Sequence, residues 1–299
     1  MLSRLAKLIS ERTIGADSVS EIRQRGRDLT EAIELVAEAK QLVPWQLALA
    51  FQEIQLQRDL AMWYLYTGQT ESAAGVLEGL LPQTELLVKQ FPNRSLLAAN
   101  LGAVLLELAS LRLDEERYRD SVSLADRAIR LLEPIFRSSQ SNSDVGYYLL
   151  RAHITGSLAV LNDPDSDSRV IAKRAFDTQA IGDEVAEAFP ADESIAEEVE
   201  ALTELILVAY QITGKWGDAI TLVQSRLSEL SSIGPVDVQT RFEKAQLLTT
   251  LAELERLRDR KTVGERHLRE AWSLLKTLAP GSAIWKQISV YMYMQLATR

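Results

Sequence analysis

The stretch Tyr64-Leu-Tyr-Thr-Gly68-Gln-Thr-Glu-Ser-Ala73 recurs further along the chain as Tyr210-Gln-Ile-Thr-Gly214-Lys-Trp-Gly-Asp-Ala219. In both copies a tyrosine is followed by a glycine one helical turn later and then by an alanine. Small residues in the equivalent place recur with spacings of 47, 48, 51, 47 and 45 residues, at Gly26, Ala73, Ser121, Ala172, Ala219 and Gly264. A period of roughly 20–50 residues is typical of stacked-repeat architectures.

Apolar residues on both sides of each turn follow the helical period. Before Gly68 they recur at steps of three and four residues, and after it they continue to Phe91-Pro92, where proline ends the helix. Strong helix formers dominate the composition, which indicates an all-α chain. The pattern predicts helices at 2–12, 19–42, 46–66, 70–90, 95–113, 116–136, 143–161, 168–188, 193–212, 216–232, 237–257, 261–278 and 283–297.

The tyrosine–glycine–alanine spacing resembles the tetratricopeptide repeat. That repeat has a large–small pair one turn before its tyrosine, and Leu60-Ala61, Leu108-Ala109 and Leu251-Ala252 supply it here. The period exceeds the usual ~34 residues. In this respect the chain is similar to the elongated repeats appended to bacterial eukaryotic-like serine/threonine kinases and regulators. The resemblance implies a right-handed α-solenoid of stacked antiparallel helix pairs.

We expect a single solenoid over residues 1–299, because an isolated helix pair buries too little apolar surface to fold and each unit must pack on its neighbours. A last helix without a partner in sequence fits a C-terminal cap. The units fall at approximately 1–44, 45–92, 93–141, 142–190, 191–235 and 236–281, followed by a capping helix at 282–299.

The net charge of the chain restricts the class of partner that it can bind, and its cysteine content indicates the cellular compartment in which it acts. The formal net charge is −9, and such a balance repels phosphate backbones, so we expect no nucleic-acid partner. The chain has no cysteine, which suits a reducing compartment and leads us to expect a cytoplasmic protein. We also expect no signal peptide and no integral membrane segment.

The residues that usually carry chemistry do not converge in the sequence. The two histidines, His153 and His267, lie on different units. The run Asp163-Pro-Asp165-Ser-Asp167 begins like a calcium loop but lacks the sharp-turn glycine and the closing glutamate, which favours a capped loop between helices. We therefore expect no catalytic residues, no cofactor and no metal site, and the chain is predicted not to be an enzyme.

A solenoid presents an extended concave surface, which usually binds other macromolecules. We predict a non-catalytic scaffold that binds a protein or peptide on this face, with the partner's identity and self-association left open. The alternative is a sensory or regulatory helical domain that binds a small ligand and is detached from an effector domain. The resemblance places a set of first-helix residues in the groove as candidate partner-binding positions: Gln55, Arg58, Met62, Ser110, His153, Glu204, Gln211, Gln246 and Glu253.

Overall fold

The computed structural model describes residues 19–43, 46–138, 142–232 and 238–275, and these parts of the chain form helices joined by short turns. The described helices are α1 Val19–Leu42, α2 Leu47–Tyr66, α3 Thr70–Gln90, α4 Ser95–Asp114, α5 Tyr118–Ser138, α6 Ser143–Asn162, α7 Ser168–Ala188, α8 Glu193–Ile212, α9 Trp216–Ser232, α10 Val238–Leu257 and α11 Lys261–Leu275. Each begins within two residues of its predicted start. The predicted helices 2–12 and 283–297 lie outside the described residues.

The glycine of the repeat signature closes the first helix of a pair. Gly68 and Gly214 have φ values of 75° and 69°, the left-handed region that glycine enters without a steric penalty. The amide that follows each glycine donates back to the tyrosine carbonyl, with N–O distances of 2.8 Å from Gln69 to Tyr64 and from Lys215 to Tyr210. These bonds satisfy carbonyls that the helix end would otherwise leave unpaired.

The small residue after each turn lies where two helices cross. Ala73, Ser121 and Ala219 are fully buried, and the Ser121 hydroxyl donates to the Ala109 carbonyl at 2.7 Å. At Gly264 a Cβ atom would lie 2.8 Å from the Ala252 carbonyl oxygen, so the backbones approach too closely for any side chain. The recurring small residues are therefore explained by close helix packing.

The first helix pairs of the chain share their apolar core with one another. One apolar cluster joins α1 to α2 through residues such as Val36 and Leu56. A second joins α2, α3 and α4 and includes Leu77 and Leu97. Because α2 contributes to both clusters, the hydrophobic interior continues from one pair to the next. Together with the helix order, this confirms the predicted all-α architecture of stacked antiparallel pairs.

Residue packing divides the chain into two compact units, one ending at Leu202 and the other beginning at Thr203, with the boundary inside α8. The first unit contains α1 to α7 and the start of α8, and the second contains the rest of α8 with α9 to α11. The single solenoid over 1–299 stays a prediction, and its capping helix 282–299 lies outside the described residues.

Helix α4 has the length and apolar composition of a membrane-spanning segment, the one such helix found within the described ranges. In this structure 78% of its apolar window is buried. Its neighbours α2, α3, α5 and α6 all lie against it. The apolar character of α4 is therefore accounted for by its central place in the first unit.

Candidate functional site

The first helices of successive pairs form one layer in the first unit. Helix α4 lies against α2 and α6, which are the first helices of the pairs on either side. The second helices of neighbouring pairs are connected instead by salt bridges. Glu85 of α3 pairs with Arg127 of α5, and Asp126 of α5 pairs with Arg174 of α7. Because the first helices of neighbouring pairs contact one another directly, we call α2, α4, α6 and the start of α8 the inner helices, and α1, α3, α5 and α7 the outer helices.

Arg58 connects three inner helices. From α2 its Nε and Nη2 atoms donate to Glu107 Oε1 of α4 at 3.0 and 2.6 Å. Its Nη2 also donates to the Tyr148 hydroxyl of α6 at 3.2 Å, and its Cζ lies 5.3 Å from the centre of the Tyr148 ring. Arg58 therefore reaches across α4 and combines an ion pair with a cation–π contact.

Burial controls the electrostatics around Arg58. Burial lowers the pKa of Arg58, but the Glu107 carboxylate and the Tyr148 hydroxyl outweigh it, so the Arg58 pKa is raised and the side chain stays charged. Burial raises the pKa of Glu107 against the opposing effect of Arg58, and burial likewise raises the pKa of Asp59. Glu107 Oε2 is buried without a hydrogen-bond partner, which adds a desolvation cost to the ion pair with Arg58.

Arg151 extends the same array along the inner layer. Its Nη1 donates to the Tyr147 hydroxyl at 3.1 Å, and its Cζ lies 5.8 Å from the Tyr147 ring centre. Its Nε lies 3.3 Å from Glu198 Oε1 at the start of α8. Burial lowers the pKa of Arg151, but Tyr147 and Glu198 outweigh that effect and raise it. We call the group comprising Arg58, Glu107, Tyr147, Tyr148, Arg151 and Glu198 the inner-face cluster.

Comparison with known proteins places the architecture among helical repeats. No protein-family model matches the chain, and no curated protein matches it. It is similar to the solved structure of BtubC (BKLC) from P. vanneervenii, with a TM-score of 0.57 and 13% identity over 89% of this chain and 95% of that one. It is also similar to the structure of the apo form of RapI, with a TM-score of 0.58 and 11% identity over 98% of this chain and 80% of that one.

A third similar structure is a putative kinesin light chain from Podosopora anserina with nearly identical TPR-like repeats. Its TM-score is 0.50, with 15% identity over 74% of this chain and 94% of that one. The fold is tetratricopeptide-like. At these identities the likeness concerns the fold, and it confirms the resemblance carried by the Tyr64, Gly68 and Ala73 positions.

Five of the predicted groove residues lie on the inner helices α2, α4 and α6 of this tetratricopeptide-like stack, and four of them lie on α2 and α4. Arg58 is the centre of the inner-face cluster, and its neighbour Gln55 is exposed and donates from Nε2 to Asn100 Oδ1 at 3.4 Å. Met62 is 48% exposed on the same face of α2. Ser110 is half-buried on α4. Gln55, Arg58 and Met62 thus share one face of α2, where Gln55 and Arg58 each contact α4 and Met62 is open to solvent.

His153 lies on an inner helix but away from the inner-face cluster. The charges that surround it come from α7 and α5: Arg174, Glu133, Asp177 and Asp126. Burial, reinforced by Arg174, lowers its pKa from 6.5 to about 4, and its Nε2 is buried without a hydrogen bond. His153 is therefore neutral at pH 7 and faces the outer helices.

The remaining predicted residues belong to the second unit. Glu204 and Gln211 of α8 and Gln246 of α10 are exposed, whereas Glu253 of α10 is half-buried. Among the residues that the structure describes, no group of three His, Asp or Glu side chains could hold a metal ion. The partner-binding role of all nine predicted groove residues stays a prediction.

Sequence reasoning missed most of the inner-face cluster, namely Glu107, Tyr147, Tyr148, Arg151 and Glu198. One signal was available. Glu107 is the single charged residue between Ser95 and Leu111, in a stretch that is otherwise apolar apart from Ser95, Asn100 and Ser110. A charge in such a helix requires a partner because burying it alone is costly. Arg58, one repeat earlier, supplies that partner.

The acidic turn before α7 is a capped loop, as predicted. The Asp163 carboxylate accepts from the Asp165 amide at 3.0 Å, and the Asp167 carboxylate accepts from the Arg169 amide at 2.7 Å, which caps the start of α7. Arg119 of α5 lies 2.7 Å from Asp165 Oδ2. These carboxylates are thus engaged by backbone amides and by one arginine.

Proposed function

We propose that this chain is a non-catalytic scaffold that binds a segment of a partner protein along the inner helices of its first unit. Folds of this type serve generally as protein-interaction scaffolds. The observation that carries the narrower proposal is the inner-face cluster, in which Arg58 of α2 meets Tyr148 of α6 across α4 and Arg151 contacts Tyr147 on α6 itself. Arginine and tyrosine are the residue types that often dominate the energy of protein interfaces.

Arg151 is the member of the cluster that a partner reaches most directly. Its side chain is 41% exposed while its guanidinium rests on the Tyr147 ring, so it presents an ordered cation at a surface. An arginine held in place by a ring loses less conformational entropy on binding than a free one. Met62 on α2 offers an apolar contact on the same layer.

Capture from native lysate tests the proposal by comparing three forms of the full chain. The partner should be retained by the unmodified chain and by Arg130→Glu, which reverses a charge on the exposed surface of the outer helix α5. It should be lost with Arg151→Glu. Partners that bind Arg151→Glu as well as the unmodified chain would exclude the inner face as the site.

We further propose that the partner is a protein and not a nucleic acid, and that the chain acts in the cytoplasm. The acidic balance of the sequence supports the first point and the lack of cysteine supports the second. Cell fractionation with an antibody to the native chain tests the location. Recovery in a membrane or extracellular fraction would refute it.

A further inference from the structure

The middle of the inner layer is covered by side chains of the chain itself. Ala103 lies on α4 between Asn100 and Glu107, at steps of three and four residues, so all three share one face of the helix. Asn100 and Glu107 accept hydrogen bonds from Gln55 and Arg58 of α2. Although it faces the inner layer, Ala103 is 0% exposed. Side chains of neighbouring helices therefore cover the centre of the inner face of α4, and we call this cover the roof.

The roof is formed where Arg58 of α2 meets Tyr148 of α6. These residues are 90 positions apart and belong to helices on opposite sides of α4, yet they form a 3.2 Å hydrogen bond and a cation–π contact. Arg58 is anchored by its ion pair with Glu107, whereas Tyr148 is held by Arg58 and by an edge contact with the Tyr147 ring, whose centre lies 5.5 Å away. Because Tyr148 has no ion pair to break, it is the side chain of the two that moves at the lower cost.

We infer that the Arg58–Tyr148 contact is a latch that closes the inner face over Ala103 and opens when Tyr148 swings away from Arg58. The inference rests on the proposed function, because the latch covers the surface on which a partner segment would lie. The buried Glu107 Oε2 atom has no hydrogen-bond donor in the closed state. An open latch gives a backbone amide or a lysine of the partner access to that oxygen, which offsets the lost contact with Tyr148.

Thiol labelling measures the opening without any partner. The natural chain contains no cysteine, so Ala103→Cys places a single thiol beneath the latch of the full chain. A matched control is Ala109→Cys. Ala109 is also 0% exposed on α4, but its carbonyl accepts from Ser121 of the outer helix α5. Each is combined with Tyr148→Phe, which removes the hydrogen bond to Arg58 and keeps the ring.

We expect Tyr148→Phe to accelerate the reaction of the Ala103→Cys thiol with an aromatic disulfide about threefold to tenfold, the effect of losing one hydrogen bond. The Ala109→Cys thiol should react at an unchanged rate. The latch is overturned if the Ala103→Cys rate does not change. It is also overturned if both thiols accelerate equally, because Tyr148 would then only stabilise the fold as a whole.

If Ala103→Cys does not fold, opening is read from the exchange of the Arg58 Nε proton with water, by NMR on the cysteine-free chain. Tyr148→Phe should accelerate this exchange, and an unchanged rate overturns the latch. Neither readout uses a partner, so failure here leaves partner binding to be judged by capture alone. Where a partner is captured, Tyr148→Phe should tighten its binding by the same factor by which it raises the open population.

Discussion

Glu107→Leu removes one half of a nearly enclosed ion pair. The Arg58 and Glu107 side chains are 11% and 13% exposed, so the substitution leaves Arg58 charged, buried and without its counter-ion. Breaking a buried pair in this way costs about 3–5 kcal/mol, and we expect the lower value because both side chains keep some access to water. In a unit of this size each kcal/mol lowers Tm by about 2–4 °C, which gives a fall of about 6–12 °C.

Arg58→Met should cost less than Glu107→Leu. It leaves Glu107 without a partner on either oxygen, but burial already raises the pKa of Glu107, so this carboxyl escapes its charge by taking up a proton. We expect a loss of about 1–3 kcal/mol, the penalty of an unsatisfied buried polar group, and a smaller loss as the pH falls. In the double variant, methionine and leucine fill the same volume without charge, and the net change should be close to zero.

Urea unfolding of the four proteins, followed by far-UV circular dichroism, measures the coupling between the two residues. We expect a coupling of at least about 2 kcal/mol. The control cycle uses Glu85→Leu and Arg127→Met on the outer helices, where the side chains are 41% and 39% exposed and coupling should stay below about 1 kcal/mol. A double inner variant that loses the sum of its two single losses would refute the reasoning.

Three further outcomes are expected. Gly102→Val should cost about 1–3 kcal/mol in a thermal melt, because a Cβ there would lie 2.6 Å from Leu132 of α5, and an unchanged Tm contradicts this. Gly68→Val should lower the free energy of unfolding by about 1–2 kcal/mol through backbone strain alone, since φ is 75° and an added Cβ would meet no neighbouring atom within 4 Å. Gly68→Asn should recover much of this loss, and denaturant titrations measure both variants. The pKa of His153 is about 4 in the folded chain and 6.5 in the unfolded chain, so the unfolded chain binds the proton first as the pH falls. The free energy of unfolding is therefore unaffected by His153 above pH 6.5 and declines towards pH 4 by on the order of 3 kcal/mol. His153→Gln should remove that decline in urea titrations on both sides of pH 6.5, and equal declines in the two proteins would count against it.

The helices were predictable because local signals agree with the tertiary structure. The start of α7 was predicted at Ser168, where the Asp167 side chain caps the helix, and α4 was predicted from Ser95, just after Phe91-Pro92. The turn glycines were predictable for the same reason, since a left-handed residue is required there whatever lies around it. At these positions local chemistry therefore determines where a helix begins or ends.

The inner-face cluster depends on which sides of the helices meet, and helix packing decides this. His153 shows the difference. It was placed in the groove because it lies on a first helix, yet it is five residues beyond Tyr148, which turns it about 140° around α6. That rotation directs it to the outer helices, where Arg174 and Asp126 surround it. The contact between Arg58 and Tyr148 spans three helices and leaves no local trace in the sequence.

The enclosed ion pair raises the question of why α2 and α4 are not joined by apolar side chains alone. The face of α4 towards α2 and α3 is formed by Leu97, Val104, Leu108 and Leu111, and apolar side chains of this kind specify a register weakly because they tolerate repacking. A slip of one helical turn would separate Arg58 from Glu107 and break a buried ion pair, at several kcal/mol. We therefore expect the pair to oppose wrong registers more than it adds to the stability of the correct one. Because Arg58 also donates to Tyr148 of α6, this one arginine of α2 contacts both α4 and α6. Register exchange should therefore appear in the double apolar variant, which keeps its stability and loses the charges.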